Sequence, residues 1–272
     1  MAYYYGTGEN KTVYRGTNKW GNVYYGNVLI NSGYDPYEGY YSYLDASLGE
    51  SYPGTGNTWY DILGVANGTI NNATWVGTTL PYYFDFAGSS SYVDLGNNYE
   101  SGSGGLLFGA FVYLDSAPTS SISLFSKWED STNRTFDVSL VTDSGTVYLS
   151  GSISNDGTNF ASTNTNQTST SASVAVNDWT FVFGGISDFN TNGITIGTSR
   201  NDRVPFNPVW SFNTGQGGGP VYTSSVSYKL GRGKNNDFDG RVGVMVVASG
   251  SRSEALATLE SFYYQNAAKF GL

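Results

Sequence analysis

Apolar side chains recur at every second position in run after run of this chain, and the runs stop at Gly, Asn or Asp. In TFDVSLV (135–141) Phe136, Val138 and Leu140 share a face, and in TVYLSGSI (146–153) Val147, Leu149 and Ile153 do. The pattern returns in YYFDF (82–86), DWTFVFGGI (178–186), SVSYKLG (225–231) and RVGVMVV (241–247). These runs align Phe84 with Phe86, Trp179 with Phe181 and Phe183, Val226 with Tyr228 and Leu230, and Val242 with Val244 and Val246. Successive strand side chains point to opposite faces, so this period predicts strands with one buried and one wetter face. GLLFGAFVYL (105–114) is apolar on both faces and reads as a central strand covered on both sides. Turn signals at Asp143-Ser144-Gly145, Asn155-Asp156-Gly157 and Asn192-Gly193 separate the runs. Many strands punctuated in this way predict an all-β antiparallel sandwich or jelly roll.

One helix is expected. SRSEALATLESFYYQNAAKFGL (251–272) opens on Ser251 or Ser253 as a cap, with Ser251 and Glu254 at capping-box spacing. Leu256, Leu259, Tyr263 and Phe270 then recur at helical spacing, which predicts that the helix packs across the sandwich.

Composition excludes some chemistry. The 272 residues include no Cys, so disulfides and Zn–thiolate sites are excluded, and no His, which removes the commonest general base. A formal net charge of −9 argues against a nucleic-acid partner, which calls for basic patches. No run is long and apolar enough to predict a membrane span, and MAYYYGTGEN (1–10) lacks the charged and apolar regions of a secretory signal. The 36 Gly and 23 Tyr suit turns and strands, and a Tyr-rich surface offers contact area at low entropic cost.

Two segments stand apart from the strand runs. Residues 1–42 are Tyr- and Gly-rich, contain the near-repeats VYRGTNKWGN and VYYGNVLINSG, and are formally neutral, so the −9 resides in residues 43–272. They hold too few aliphatic side chains for a core of their own. They are expected to form an extended arm that attaches the domain to an assembly through Tyr3, Tyr4, Tyr5, Lys11, Arg15, Lys19, Trp20, Tyr24 and Tyr25. Alternatively, NVYYGNVLI (22–30) adds an edge strand to the chain's own sandwich. The second segment, SRNDRVPFNPVWSFNTGQGGGP (199–220), reads as a long irregular loop, and Arg203, Phe206, Trp210 and nearby Tyr222 are its candidate ligand contacts.

The stretch YLDASLGESYPGTGNTWYDILGVANGT (43–69) carries a family resemblance. Leu44-Asp45-Ala46, Tyr52-Pro53-Gly54, Trp59-Tyr60-Asp61 and Asn67-Gly68-Thr69 resemble the opening of laminin-G-like, concanavalin A-like lectin/glucanase domains found in phage and other virion proteins. YYFDFAGSSSYVDLG, LFSKWEDSTNRTFDVSL, LGRGKNNDFDGRVGVMVV and FYYQNAAKFGL are similar to that family's later segments, in the same order. Ser90-Ser91 depart from an Asp pair common in the family. The resemblance covers about residues 43–272 and implies a concanavalin A-like jelly roll. The residues agree with it. Pro53-Gly54 makes a tight turn, Trp59 reads as a plug over the sandwich, and Asp61 as an acceptor for local backbone N–H groups.

The related glucanases use carboxylates spaced Glu-x-Asp-x-x-Glu, and no such run exists here, so with no His the chain is expected not to be an enzyme. Ca²⁺ is the one cofactor considered, with NNDFDG (235–240), through Asp237 and Asp239, and WEDSTN (128–133) as weak candidates. Arg232 and Lys234 in GRGKNN (231–236) read as a solvated turn. Two functions follow from the resemblance and the composition. One is a non-enzymatic virion protein (capsid decoration, head-fibre or tail-associated subunit). It would reside in the virion, with proteins such as the major capsid protein and further copies of itself, as a homo-oligomer, for partners. The other is an adhesin or receptor-binding protein that takes a cell-surface glycan.

Overall fold

The structure, a computed structural model, describes residues 37–99, 104–130, 132–154, 156–158, 173–190, 193–199 and 221–272 in full, and residues 2–5, 11–15, 20–25, 28–31, 161–164 and 210–212 by their backbone. The chain divides into two compact units, Met1–Gly39 and Tyr40–Leu272. The first contains strands β1 (Ala2–Tyr5), β2 (Lys11–Arg15), β3 (Trp20–Tyr25) and β4 (Val28–Asn31). They form an antiparallel sheet in chain order. The segment expected as an extended arm thus pairs with itself. Each of its strands pairs antiparallel with its neighbour in the chain.

The second unit opens with β5 (Tyr40–Asp45), β6 (Thr58–Trp59), β7 (Gly68–Asn71), β8 (Thr74–Val76), β9 (Tyr83–Ala87) and β10 (Tyr92–Asp94). There follow β11 (Gly105–Tyr113), β12 (Ile122–Trp128), β13 (Arg134–Asp143), β14 (Thr146–Ile153), β15 (Ala161–Asn164) and β16 (Ser173–Val174). The last strands are β17 (Trp179–Asp188), β18 (Gly193–Ser199), β19 (Trp210–Phe212), β20 (Tyr228–Leu230) and β21 (Asp239–Gly250), before helix α1 (Arg252–Asn266). One sheet runs β15-β14-β13-β12-β20-β10-β7-β6 with β16 beside β14, and the other runs β19-β18-β17-β11-β21-β9-β8. On one edge β21 pairs with β9 through Asp239–Val242 and with β5 through Val244–Ala248. The unit is an all-β antiparallel sandwich with one C-terminal helix among the described residues.

The core lies between the sheets, where Phe108 stacks on Phe125 and Phe136 with ring centroids 5.8 and 5.7 Å apart. The doubly apolar run is central, with β11 between β17 and β21. Trp59 is fully buried and packs on Phe84 at 4.7 Å, the plug expected from its sequence. Asp61 beside it accepts from four backbone N–H groups, those of Tyr43 and Leu63 on Oδ1 and of Val65 and Ala66 on Oδ2, at 2.8–3.0 Å.

Three sequence expectations need correction. The alternation leaves a wetter face on β9 and β20, at Tyr83, Asp85 and Lys229, but not on β13. Thr135–Leu140 is buried throughout, and Phe181, expected in the core with Phe183, instead meets Phe262 and Tyr263 of the helix, while Val182 and Ile186 enter the core. Nor do Val242, Val244 and Val246 share a face. The pairing of β11 with β21 shifts register between Phe111 and Val112, leaving Gly243 as a bulge. Val242, Met245 and Val247 therefore join the core, and Val244 and Val246 the opposite face. Finally, the segment read as one irregular loop contains β19, an edge strand on β18.

The helix covers the outer face of the β11 sheet. Ser251 caps it, with the capping box to Glu254 formed in both directions. Phe262 packs on Tyr40, Tyr43 and Phe111, and Lys269 binds both oxygens of the buried Asp45 at 2.7 Å. Phe270, on a 3₁₀ turn after the helix, stacks face to face on Phe111 at 4.3 Å. Tyr40–Ser42 thus belong to the sandwich, and the second unit begins three residues before the boundary drawn from the sequence.

Candidate functional site

Three loops of the second unit enclose a polar cleft of about 630 Å³. Gly88 and Ser89 after β9 form one wall, Ser116–Ser120 between β11 and β12 the other, and Asn235–Asp237 with Asp239 complete it. Each loop is pinned. Gly88 and Ser90 take left-handed backbone conformations, and Ser91 N donates to Gly88 O at 2.8 Å. Asn236 is bridged through its backbone to Ser121 and Ser123, and its Nδ2 donates to Ser120 Oγ at 2.7 Å. Thr142 Oγ1 donates to Pro118 O at 2.6 Å. Buried Phe238 anchors the third loop against Phe86 at 5.6 Å. The walls are therefore preformed, and they present hydroxyls, amides and carboxylates. Ser89, Ser116, Thr119 and Asp239 make no side-chain hydrogen bond among the described residues.

Charge around the cleft is ordered. Arg232 holds Asp237 through both oxygens, at 3.1 and 3.2 Å, and lies 4.4 Å over the Tyr92 ring, so it is not the solvated turn residue expected. Asp237 also accepts from Ser90 N at 2.6 Å. Beyond Asp239, Arg241 pairs with Asp115 and stands over the rings of Tyr83 and Tyr113. Burial pushes the Asp85 carboxyl up; Arg241 pulls it back down, and Asp115 and Asp239 add to the rise.

Beneath the third loop lies a carboxylate that the sequence did not single out. Asp137 is fully buried on the outer face of β13. It accepts from Lys234 N at 3.1 Å, from Asn235 Nδ2 at 3.3 Å and from Ser139 Oγ, and Asn235 N donates to Ser123 Oγ at 2.9 Å. Burial pushes the Asp137 carboxyl above the usual carboxylate range, opposed by the hydrogen bonds from Ser123, Ser139 and Lys234 and by the Lys234 charge. The folded protein thus holds a proton that the unfolded chain releases, and stability falls as pH rises from about 4, the ordinary Asp value, through the raised one. Asp137→Asn removes this titration. Its stability deficit against wild type is expected to shrink between about pH 4 and pH 7 in denaturant titrations, whereas a deficit constant across that range would contradict the raised value.

Of the sequence candidates, Asp237 and Asp239 line the cleft. Among the described residues no group of three Asp or Glu is placed to hold a metal ion, and Asp237 bonds Arg232 and Ser90 N. In the other candidate turn Asp130 accepts from the backbone N of Thr132 and Asn133 and the side chain of Asn133, which hold its carboxyl down to about 2, the Thr132 N–H most. Tyr222 lies away from the cleft, its ring against Gly157, and Trp210 is on β19. Arg203, Phe206 and Lys19 lie outside the described residues. Tyr3, Tyr4, Tyr5, Lys11, Arg15, Trp20, Tyr24 and Tyr25 are on β1–β3, described by their backbone. No described helix is long and apolar enough to cross a membrane.

No protein-family model matches the chain, and no curated protein does. Solved structures match in fold. The Trypanosoma rangeli sialidase in complex with sialic acid superposes with a TM-score of 0.53 at 12% identity, over 86% of this chain and 34% of that one. The binding domain of botulinum neurotoxin DC matches in complex with SialylT (TM-score 0.55, 10% identity, 85% of this chain and 53% of that one). It matches again in complex with rat synaptotagmin II (0.52, 12%, 84% and 53%).

The likeness is one of fold. This chain spans about a third of the sialidase chain and about half of the toxin chain. One expectation falls here. That the chain is not an enzyme was argued from the missing carboxylate spacing and the absence of His. The fold is one that a sialidase chain carries, so the missing spacing and the absence of His do not exclude an enzyme.

Proposed function

We propose that the Tyr40–Leu272 unit is a glycan-recognition module whose ligand occupies the cleft between Ser89, Ser116–Ser120 and Asn235–Asp239. The observation that carries this reading is a preformed cleft of about 630 Å³ lined by hydroxyls, amides and carboxylates, groups that pair with sugar hydroxyls. Loops held on a rigid sandwich are where such sites concentrate. Fold neighbours in complex with sialic acid and with SialylT support it. Ser89 is exposed, so Ser89→Trp fills the cleft without removing a described hydrogen bond. On immobilised glycans this variant is expected to lose at least tenfold in affinity while keeping the wild-type melting temperature; unchanged affinity would exclude the cleft.

The Met1–Gly39 unit, with its Tyr-rich strands, is read as the element that attaches the module to its carrier, and the sequence resemblance supports a virion for that carrier. A fragment starting at Tyr40 is expected to bind glycan but not to join the assembly. Association undiminished by the truncation would exclude the role.

A further inference from the structure

We infer that the cleft takes glycans free of carboxylate, sulfate and phosphate groups, and turns sialylated and uronic-acid-bearing ones away. This rests on the reading of the cleft as a glycan site and goes beyond it. The argument is one of fixed charge. Two carboxylates, Asp237 and Asp239, line the cleft, and two more, Asp85 and Asp115, border it beside Asp239. Two guanidinium groups answer them, and both are engaged. Arg232 is held by both oxygens of Asp237 and lies over Tyr92. Arg241 is paired with Asp115 and flanked by Tyr83 and Tyr113. Arg241 pairs with Asp115 and also acts on Asp85, which Asp115 and Asp239 crowd, while Asp239, exposed in the cleft, makes no hydrogen bond among the described residues. Lys234 is exposed beside the third loop, and its charge bears on the buried Asp137 beneath it.

An anionic sugar would enter a negative field with no uncommitted guanidinium to receive it, whereas recognition of carboxylates and phosphates ordinarily rests on a free Arg fork. Neutral hydroxyls and N-acetyl groups meet no such cost. The Ser and Thr hydroxyls and the Asn236 amide can donate to them, and the Asp239 carboxylate accepts from pairs of sugar hydroxyls. Free cellular glycans and surface polysaccharides share this chemistry, so the class is defined by the absence of anionic groups and not by source.

The test is an array of neutral, N-acetylated, sialylated, sulfated and uronic-acid-bearing glycans, from both cell-surface and polysaccharide sources. It is probed with the full chain, with Ser89→Trp and with Asp239→Asn. The expected result is binding confined to neutral and N-acetylated glycans, lost in Ser89→Trp, and changed less than about twofold between low and high salt. Asp239→Asn is expected to raise the affinity for the sialylated form of a bound neutral glycan at least tenfold. Sialylated or sulfated glycans bound by the wild type and lost in Ser89→Trp would overturn the charge argument and leave the cleft reading intact. Absence of binding, or binding indifferent to Ser89→Trp, would overturn both.

Discussion

Asp61→Ala is expected to destabilise the sandwich by about 4 kcal/mol. The carboxylate accepts four backbone N–H groups, and two of the donors, Tyr43 and Ala66, are buried residues. A buried donor left without an acceptor costs about 1–3 kcal/mol. The other two, on Leu63 and Val65, are nearer solvent and lose less. The damage would spread, because these bonds fix the loop that sets Trp59 and Tyr52 against Phe84, and Asp61 N is itself held by Asn67 Oδ1 at 2.9 Å. Domains of this kind are stable by about 5–15 kcal/mol, so the variant stands close to unfolding. Asp61→Asn keeps one carbonyl acceptor and turns an NH₂ toward the other two donors, so an intermediate loss is expected. Denaturant titration measures both. An Asp61→Ala variant within about 1 kcal/mol of wild type would contradict this role.

Phe270→Ala is expected to cost about 3–5 kcal/mol, the range for removing a buried Phe. Its ring is nearly parallel to that of Phe111, meets Trp179 edge-on at 4.8 Å, and fills the space over Gly243. A Cβ at Gly243 would come within 2.4 Å of Phe270 Cε1. Gly243→Ala therefore overpacks the same site, at about 1–3 kcal/mol. The two changes share a cause, so the double variant is expected to cost clearly less than the sum of the singles. Additive losses would show that the bulge and the ring do not meet.

These residues also show how far the sequence could be read. The turn at Pro53-Gly54, with Trp59 next to a carboxylate two residues on, was interpretable because every partner of Asp61 except Tyr43 lies within a few positions of it. The bulge at Gly243 was hidden, because RVGVMVV alternates without interruption and only pairing with β11 reveals the extra residue. The wet face expected on β13 failed for a related reason. Ser and Thr on the outer positions look solvent-facing in sequence, yet Asp137 and Ser139 are covered by a loop almost 100 positions later, and Lys234 N and Asn235 Nδ2 reach them at distances only folding supplies. Of the cleft, Asp237 and Asp239 were legible as a polar turn. The Ser116–Ser120 wall was not, since its residues read as an ordinary connection between strands and acquire a ligand-facing role only opposite Ser89 and Asn236.

The central claim is that the cleft receives a glycan. Amide resonances of the full chain, followed while a glycan that it binds is titrated in, test this most directly. The account predicts that Ser89, Thr119, Asn236 and Asp239 shift most and in one saturating transition, and that Thr119, Asn236 and Asp239 do not respond in Ser89→Trp. Shifts gathered instead around Trp210 and Tyr222, or on β1–β3, with the cleft resonances unmoved, would contradict it.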